Sequence, residues 1–507
     1  MSRKKILPIF LLLIGFISPI LFAESLVILH TNDTHSQVDP DYDGKGGILR
    51  RKAIIDSVRS AEPNVLLVDA GDAVQNTLYF SLFGGQIDIA LLDSLKYDMM
   101  ILGNHEFDNG VDSIATFYKT NKVTKISSNY DLENTALAGM FVPYVIKEYG
   151  GKKFGFMGIN LDPDGMIDRK NYVGLKYSNA KEVANKTAKY LKEDKKVDMV
   201  IMLSHIGYDV EKEGKTCDVD IAEHSKDIDI IIGGHSHTVI DPSNKKSVDY
   251  LEENENGKDV LIAQTGASGK YLGYIKIDLD DLTAKSKLIP VTKQYDNRID
   301  SALLAYIKPY HDQVMVLMNR PVAQSAKAMS NVKLGALSNW VSDVAKELGQ
   351  RLTHEPVDFA IMNKGGIRQP MPAGDVSEGL IGVMFPFDNR LVVMKIKGSD
   401  LLDAFKVMAV RHGDAVSKEL KVLFNDDNEI ISARYNGKPI NKNKIYTVVT
   451  LNYLADGGDY MEPFKKGRII AKGTNKFGEE MLEYVKDLTA KGRMIDSSDE
   501  SRMYELD

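Results

Sequence analysis

Five polar motifs each close an apolar run, and no other feature restricts the architecture of this chain so strongly. Asp33-Thr34-His35 overlaps the end of SLVILHTN, Gly71-Asp72 follows VLLVDA, and Gly103-Asn104-His105-Glu106 follows MMIL. Ser204-His205 closes MVIMLS, and Gly233-Gly234-His235-Ser236-His237 follows IDIII. A buried strand that delivers a polar cluster at its C-terminal end, several times over, describes an α/β sheet with one ligand site outside its strand ends.

The residue types in these motifs point to metal chemistry. Asp33 and His35 are separated by one residue, so an extended segment would turn both to the same side. Asp72 has two carboxylate oxygens with which to bridge two ions, and Asn104 offers a neutral amide oxygen. His205, His235 and His237 add imidazole nitrogens. A mixed nitrogen and oxygen set without thiolate suits zinc, manganese, cobalt or iron better than calcium. Two such ions about 3.5–4 Å apart clamp a phosphoryl group and activate water at neutral pH, so the set implies phosphoester hydrolysis. His105 adjoins Asn104 but should face the other way, and Asp108 three residues on can fix its tautomer and favour the imidazolium. A single Asp-x-His or Gly-Asp is usually turn chemistry. Five motifs in order, each after a strand, define a site. His30, His224, His311, His354 and His412 have no such context and read as surface or packing residues.

At 507 residues the chain is too long for one core, so two domains are expected. Arg3-Lys4-Lys5, an apolar stretch from Ile6 to Phe22 and the small residue Ala23 read as an export signal over residues 1–23, with a periplasmic or secreted destination. Cys217 is the one cysteine, which excludes an intrachain disulfide; it lies in a charged stretch and reads as incidental. The net charge of −7 is spread along the chain without a basic block, so no polynucleotide partner is expected, and no second segment is apolar enough to span a bilayer. Strand-length runs alternate with helical spacing in LRRKAIIDSVRSA, ALLDSLKYD and AKEVANKTAKYLKED, an α/β pattern. The stretch from about Asp300 to Asn319 reads as a connecting helix. A second unit follows, with a helix near Leu337–Arg351, strands at DFAIMN, RLVVMKIKG and YTVVTLN, and a helix from Ser399.

ILHTNDTH, DAGD, GNHEFD, SHIG and GGHSH resemble the calcineurin-like metallophosphoesterase signature, and in particular the secreted bacterial 5′-nucleotidase and UDP-sugar hydrolase family. The likeness runs over essentially the whole mature chain. It implies a four-layered α/β metallophosphoesterase sandwich over residues 24–298, a linker helix over 299–320 and an α/β nucleotide-binding domain over 321–507. By the same resemblance, Asp33, His35, Asp72 and His237 would hold one divalent ion, zinc or manganese first, with cobalt and iron as alternatives. Asp72, Asn104, His205 and His235 would hold the second, and His105 and Asp108 would form the catalytic dyad.

In the second half, Asn363-Lys364-Gly365-Gly366-Ile367-Arg368 resembles the family's Asn-Gly-Gly-Gly-Ile-Arg loop; Phe385-Pro386-Phe387-Asp388 and the segment from Tyr453 to Asp459 resemble its aromatic loops. The resemblance implies that Phe387 and Tyr453 sandwich a nucleobase, Asp459 binds ribose, Asn363 and Gly366 line the base pocket, and Arg368 and Arg351 meet the phosphate side. The sequence departs from the family pattern at four places: His237 for a glutamine of some bacterial members, Lys364 for glycine, Tyr453 for phenylalanine and Ser338 for glycine. The expected activity is removal of the 5′-phosphate of nucleoside monophosphates by a metal-bound hydroxide, in a monomer. The sister activities are 2′,3′-cyclic-nucleotide phosphodiesterase with 3′-nucleotidase action, and UDP-sugar or NAD pyrophosphohydrolysis.

Overall fold

The computed structural model describes residues 24–41, 43–209, 216–244 and 246–506; the expected export segment lies outside them. The first half is two β-sheets packed face to face. Val65–Asp69 runs parallel to Ser25–Thr31 on one side and to Met99–Met100 on the other, at the centre of a seven-stranded sheet. Met199–His205 lies between the parallel strands Lys152–Asn160 and Ile230–Ile232 in a six-stranded sheet. Alternation along Ser25–Thr31 explains the layering. Leu26 and Ile28 point into the core between the sheets, with Phe154, Ile201 and Ile230. Val27 and Leu29 point outward, under Ile54, Ile55 and Leu91 of the covering helices. Helix Ala180–Glu193 covers the outer face of the second sheet through Ala184, Ala188 and Leu191. The result is helix, sheet, sheet, helix, and the central strands of both sheets end at the same edge.

The second half is built on a five-stranded sheet in the order Ala415–Val416, Phe359–Met362, Ile445–Leu451, Leu391–Lys397, Arg468–Lys472. Ala360 and Met362 face helices Ala336–Arg351 and Phe477–Ala490. Phe359 and Ile361 face helix Gly398–Val410 on the other side. A helix over Ser301–Met318 joins the halves. It starts at Asp300, whose carboxylate accepts the Ala302 and Leu303 N–H groups at 2.9 and 3.0 Å. It packs on Leu78–Phe83 of the first half and Glu378–Met384 of the second. On the first half, Asp39 accepts the Tyr79 hydroxyl at 2.8 Å and lies 3.1 Å from His311 Nδ1 of the helix. Among the described residues no helix is long and apolar enough to cross a membrane.

Candidate active site

All five motifs meet at the shared sheet edge. Asp33, His35 and His237 form one group of potential ligand atoms, and Asp72, His205 and His235 form a second. The groups adjoin: Asp33 Oδ1 lies 3.4 Å from His237 Nε2 and 3.9 Å from His205 Nε2, and Asp72 Oδ2 is 3.1 Å from His205 Nε2. Asn104 Oδ1 is 2.9 Å from His235 Nδ1, which adds the amide to the second group. The extended geometry expected of Asp33 and His35 is not what brings them together. Both are left-handed (φ 49° and 48°), as are Asp72, His235 and His237, because each loop must reverse as soon as its strand ends. Gly71 shows how tight the packing is: with φ 91°, a Cβ there would sit 2.7 Å from Gly103 N and 2.8 Å from His205 Nδ1.

The side chains fit divalent ions. His205 donates from Nδ1 to the Ala70 carbonyl at 2.7 Å, which fixes the tautomer and leaves the Nε2 lone pair free toward the group. That Nε2 is buried without a hydrogen-bond partner among the described residues, so a cation would satisfy it. His35 is arranged alike, with Nδ1 3.3 Å from the Val74 carbonyl and Nε2 2.9 Å from His237 Nε2. Asp33 and His35 are sealed, whereas the His237 side chain is 39% exposed and marks the open side.

Glu106, to which the sequence reading gave no role, anchors this arrangement. Its carboxylate accepts the backbone N–H groups of Gly103 at 2.6 Å, Ala73 at 2.8 Å and Asp72 at 3.1 Å, tying two ligand loops together. Three converging donors suit an acceptor-only carboxylate. Its signal was present in the Gly-Asn-His-Glu motif. Below the Gly71 turn, Asp69 accepts the Thr31 hydroxyl and the Gly71 N–H, and burial pushes its carboxyl up to about 7.

His105 Nδ1 lies 2.9 Å from Asp108 Oδ2, as the three-residue spacing predicts. Burial alone would lower the His105 pKa, but the Asp108 and Asp72 carboxylates outweigh it and hold the imidazole above its ordinary value. A cleft of about 520 Å³ opens above this ring, and residues of both halves line it. From the second half come Asn363, Arg368, Phe387, Tyr453 and Asp459; Phe387 stacks on His105 with ring centroids 6.0 Å apart. Arg368 Nε donates to Asn76 Oδ1 of the first half at 2.6 Å, and its guanidinium lies 5.8 Å from the Phe387 ring centre. Gly366 lines a smaller apolar pocket that shares Asn363 and Phe387 with the cleft.

One sequence expectation meets a different placement. Arg351 is not brought to the cleft. Arg351 is the last residue of helix Ala336–Arg351; its half-exposed side chain lies beside Trp340 and Tyr484, away from the cleft, and pairs with Glu347 one turn back at 2.7 Å. Cys217, read as incidental, is buried, and its sulfur accepts the Asp220 N–H at 3.5 Å at the start of a short helix. It belongs to neither ligand group. Arg411 went unnoticed in the sequence: from the end of its helix it donates to the Asp459 carbonyl and to Asp414. Nothing local in Arg411-His412-Gly413-Asp414 announces a contact 48 residues away.

Comparison with known proteins matches this geometry. A calcineurin-like phosphoesterase model matches residues 26–239, and a 5′-nucleotidase C-terminal domain model matches residues 314–466. The chain belongs to the calcineurin-like phosphoesterases that carry a 5′-nucleotidase C-terminal domain. It is a metal-dependent phosphoester hydrolase. Human 5′-nucleotidase is 25% identical over 95% of this chain and 91% of its own length. The snake venom 5′-nucleotidase of Naja atra is 28% identical over 86% and 90%. The crystal structure of a 5′-nucleotidase precursor from Thermus thermophilus superposes with a TM-score of 0.82 at 28% identity, covering 95% of this chain and 99% of that one.

Proposed function

We propose that this family member is an exported, two-metal hydrolase that removes the 5′-phosphate of nucleoside monophosphates. The observation that carries the reading is a single cleft lined by members of both ligand groups, His237 of one and Asp72 and His235 of the other, and by Phe387, Tyr453, Asp459 and Arg368 of the second half. In this reading the phosphate meets the ligand groups and the base meets the wall, with the sugar between them. The full-length likeness to 5′-nucleotidases supports the same substrate class.

In this reading Asp33, His35, Asp72 and His237 would hold one ion, and Asp72, Asn104, His205 and His235 would hold the other. Zinc or manganese bound there supplies Lewis-acid activation of water and of the phosphoryl group. His105, oriented through Nδ1 by Asp108, holds a proton at Nε2 and offers it to the phosphoryl oxygens as charge builds on them. Arg368 meets the phosphate bidentately. Phe387 and Tyr453 take the base between them, Asn363 meets its edge beside Gly366, and Asp459 accepts the ribose hydroxyls. The functional units are the metal domain over 24–298, the linker over 299–320 and the substrate domain over 321–507, with export directed by residues 1–23.

The test is chromatographic product analysis, resolving nucleoside, mononucleotide and inorganic phosphate, on 5′-AMP, 3′-AMP, 2′,3′-cyclic AMP, UDP-glucose and NAD, with zinc or manganese supplied and then chelated. Turnover led by 5′-AMP, abolished by chelation and by Asp72→Ala, and lowered about 10²–10⁴-fold by His105→Ala, is the expected result. Preference for the cyclic or pyrophosphate substrates would replace the 5′-nucleotidase reading with a sister activity.

A further inference from the structure

We propose that the Tyr453 hydroxyl is a positioning group that, together with Gly165 of the first half, holds the Asp459 carboxylate aimed into the cleft. The inference rests on the nucleotide reading above. Tyr453 lies in the helical turn that follows strand Ile445–Leu451, and its ring faces the cleft. The ring alone would serve a stacking role. The hydroxyl does something separate: it donates to Asp459 Oδ1 at 2.9 Å and accepts the Asp459 N–H at 3.2 Å. It also lies 3.3 Å from the carbonyl of Gly165, a residue of the first half.

Asp459 needs this support. Its backbone is left-handed (φ 52°), a conformation that costs a non-glycine residue free energy and persists only where surrounding contacts impose it. Its N–H also donates to Gly165 O at 2.8 Å, and its Oδ2 accepts the Asn363 amide at 2.9 Å. Tyr453 and Gly165 therefore fix Asp459 from opposite sides of the seam between the halves, and each carboxylate oxygen receives one donor. A carboxylate oxygen has room for a second donor, so the sugar hydroxyls would meet a group already aimed. Such preorganisation appears in substrate affinity rather than in the bond-breaking step. Gly165 is sterically committed to the contact. Its φ is 84°, and a Cβ there would meet the Tyr460 ring at 2.9 Å.

Tyr453→Phe keeps the ring and removes only the hydroxyl. Steady-state kinetics on 5′-AMP and its 2′-deoxy analogue are expected to show KM for 5′-AMP raised about ten-fold with kcat within about two-fold, the size of one lost hydrogen bond to a charged group. The preference for the ribose over the deoxyribose substrate, read as the ratio of kcat/KM values, should shrink in the same variant. Gly165→Ala, on the opposite half, should reproduce the rise in KM. Unchanged KM and ribose preference in both variants, or a loss confined to kcat, overturns the proposal while leaving the nucleotidase reading intact. Failure of the unaltered protein to release phosphate from either substrate overturns the nucleotidase reading first, and this inference with it.

Discussion

Protonating His30 should weaken the first half of the molecule in a pH window set by burial alone. His30 sits on strand Ser25–Thr31, three residues before Asp33, and is 1% exposed. It lies opposite Gly273 in the neighbouring strand, where a Cβ would collide with the imidazole. Its Nδ1 has no hydrogen-bond partner among the described residues, and burial lowers the pKa from 6.5 to about 3. In the unfolded chain the imidazole binds a proton below its ordinary value, whereas in the folded chain it resists. Stability is therefore complete above about pH 6.5 and falls as pH drops from there toward 3. At pH 5 the unfolded state gains about 2 kcal/mol, from 1.5 pH units at ~1.4 kcal/mol each. The assay is urea unfolding of the unaltered chain and of His30→Phe at pH 7 and pH 5, with identical ionic strength and metal. Metal release at acid pH is common to both chains and cancels in the difference. The unaltered chain should lose about 2 kcal/mol more than the variant between the two pH values. Equal losses would show that His30 takes up its proton in the folded state without cost, and the burial argument would be wrong.

Three further outcomes are expected. Glu106→Gln replaces one acceptor oxygen with an amide donor facing backbone N–H groups, so metal affinity measured by competition with a chelator should fall about 10–100-fold; unchanged affinity would deny Glu106 its anchoring part. Phe387→Ala should raise KM for 5′-AMP about ten-fold or more, since base stacking on an aromatic is worth about 1–3 kcal/mol, and an unaltered KM would remove Phe387 from the base site. Arg351→Ala sets the family pattern against the observed placement: with the guanidinium on Glu347, KM should stay within about two-fold, and a rise above ten-fold would mean that Arg351 reaches substrate.

What could be read in the sequence was whatever the chain writes locally. Apolar runs such as Val65–Asp69 and Met199–His205 are buried on both faces, so they appear as unbroken hydrophobic strings, and the helices between them carry a 3.6-residue period. Lys152–Asn160, the second strand from the edge of its sheet, went unread because Gly155 and Gly158 interrupt its apolar string, although Gly150-Gly151 marks the hairpin turn that precedes it. The helix Phe477–Ala490 and the four-stranded sheet containing Leu420–Phe424 and Met503–Glu505 were also missed. That sheet pairs segments about 80 residues apart, a relation that short-range patterning does not carry. The placement of Arg351 away from the cleft is likewise a matter of tertiary packing. Counting from Leu337 aligns the residue with a family position, but where the end of its helix lies relative to the cleft is decided by how Trp340, Val344 and Leu348 seat that helix in the core.

The site itself was legible as a set although its backbone was not, and the reason is physical. Five of the seven candidate ligands hold left-handed conformations, each costing about 1–3 kcal/mol outside glycine, so no single loop would keep its shape alone. The loops hold one another. Asp33 N–H donates to Gly71 O at 2.9 Å, His35 N–H to Asp72 O at 3.0 Å, and Ser268 N–H to Asp33 O at 2.7 Å. The His235 N–H reaches the Asp33 carboxylate at 2.9 Å, and His105 N–H reaches Asp72 Oδ1 at 2.8 Å. Four of the five motifs thus partner one another's turns. A reading that weighs Asp33-Thr34-His35 or Gly71-Asp72 singly finds ordinary turn chemistry in each. Their geometry exists only when the strands that carry them end side by side, and the order of apolar runs along the chain brings that about.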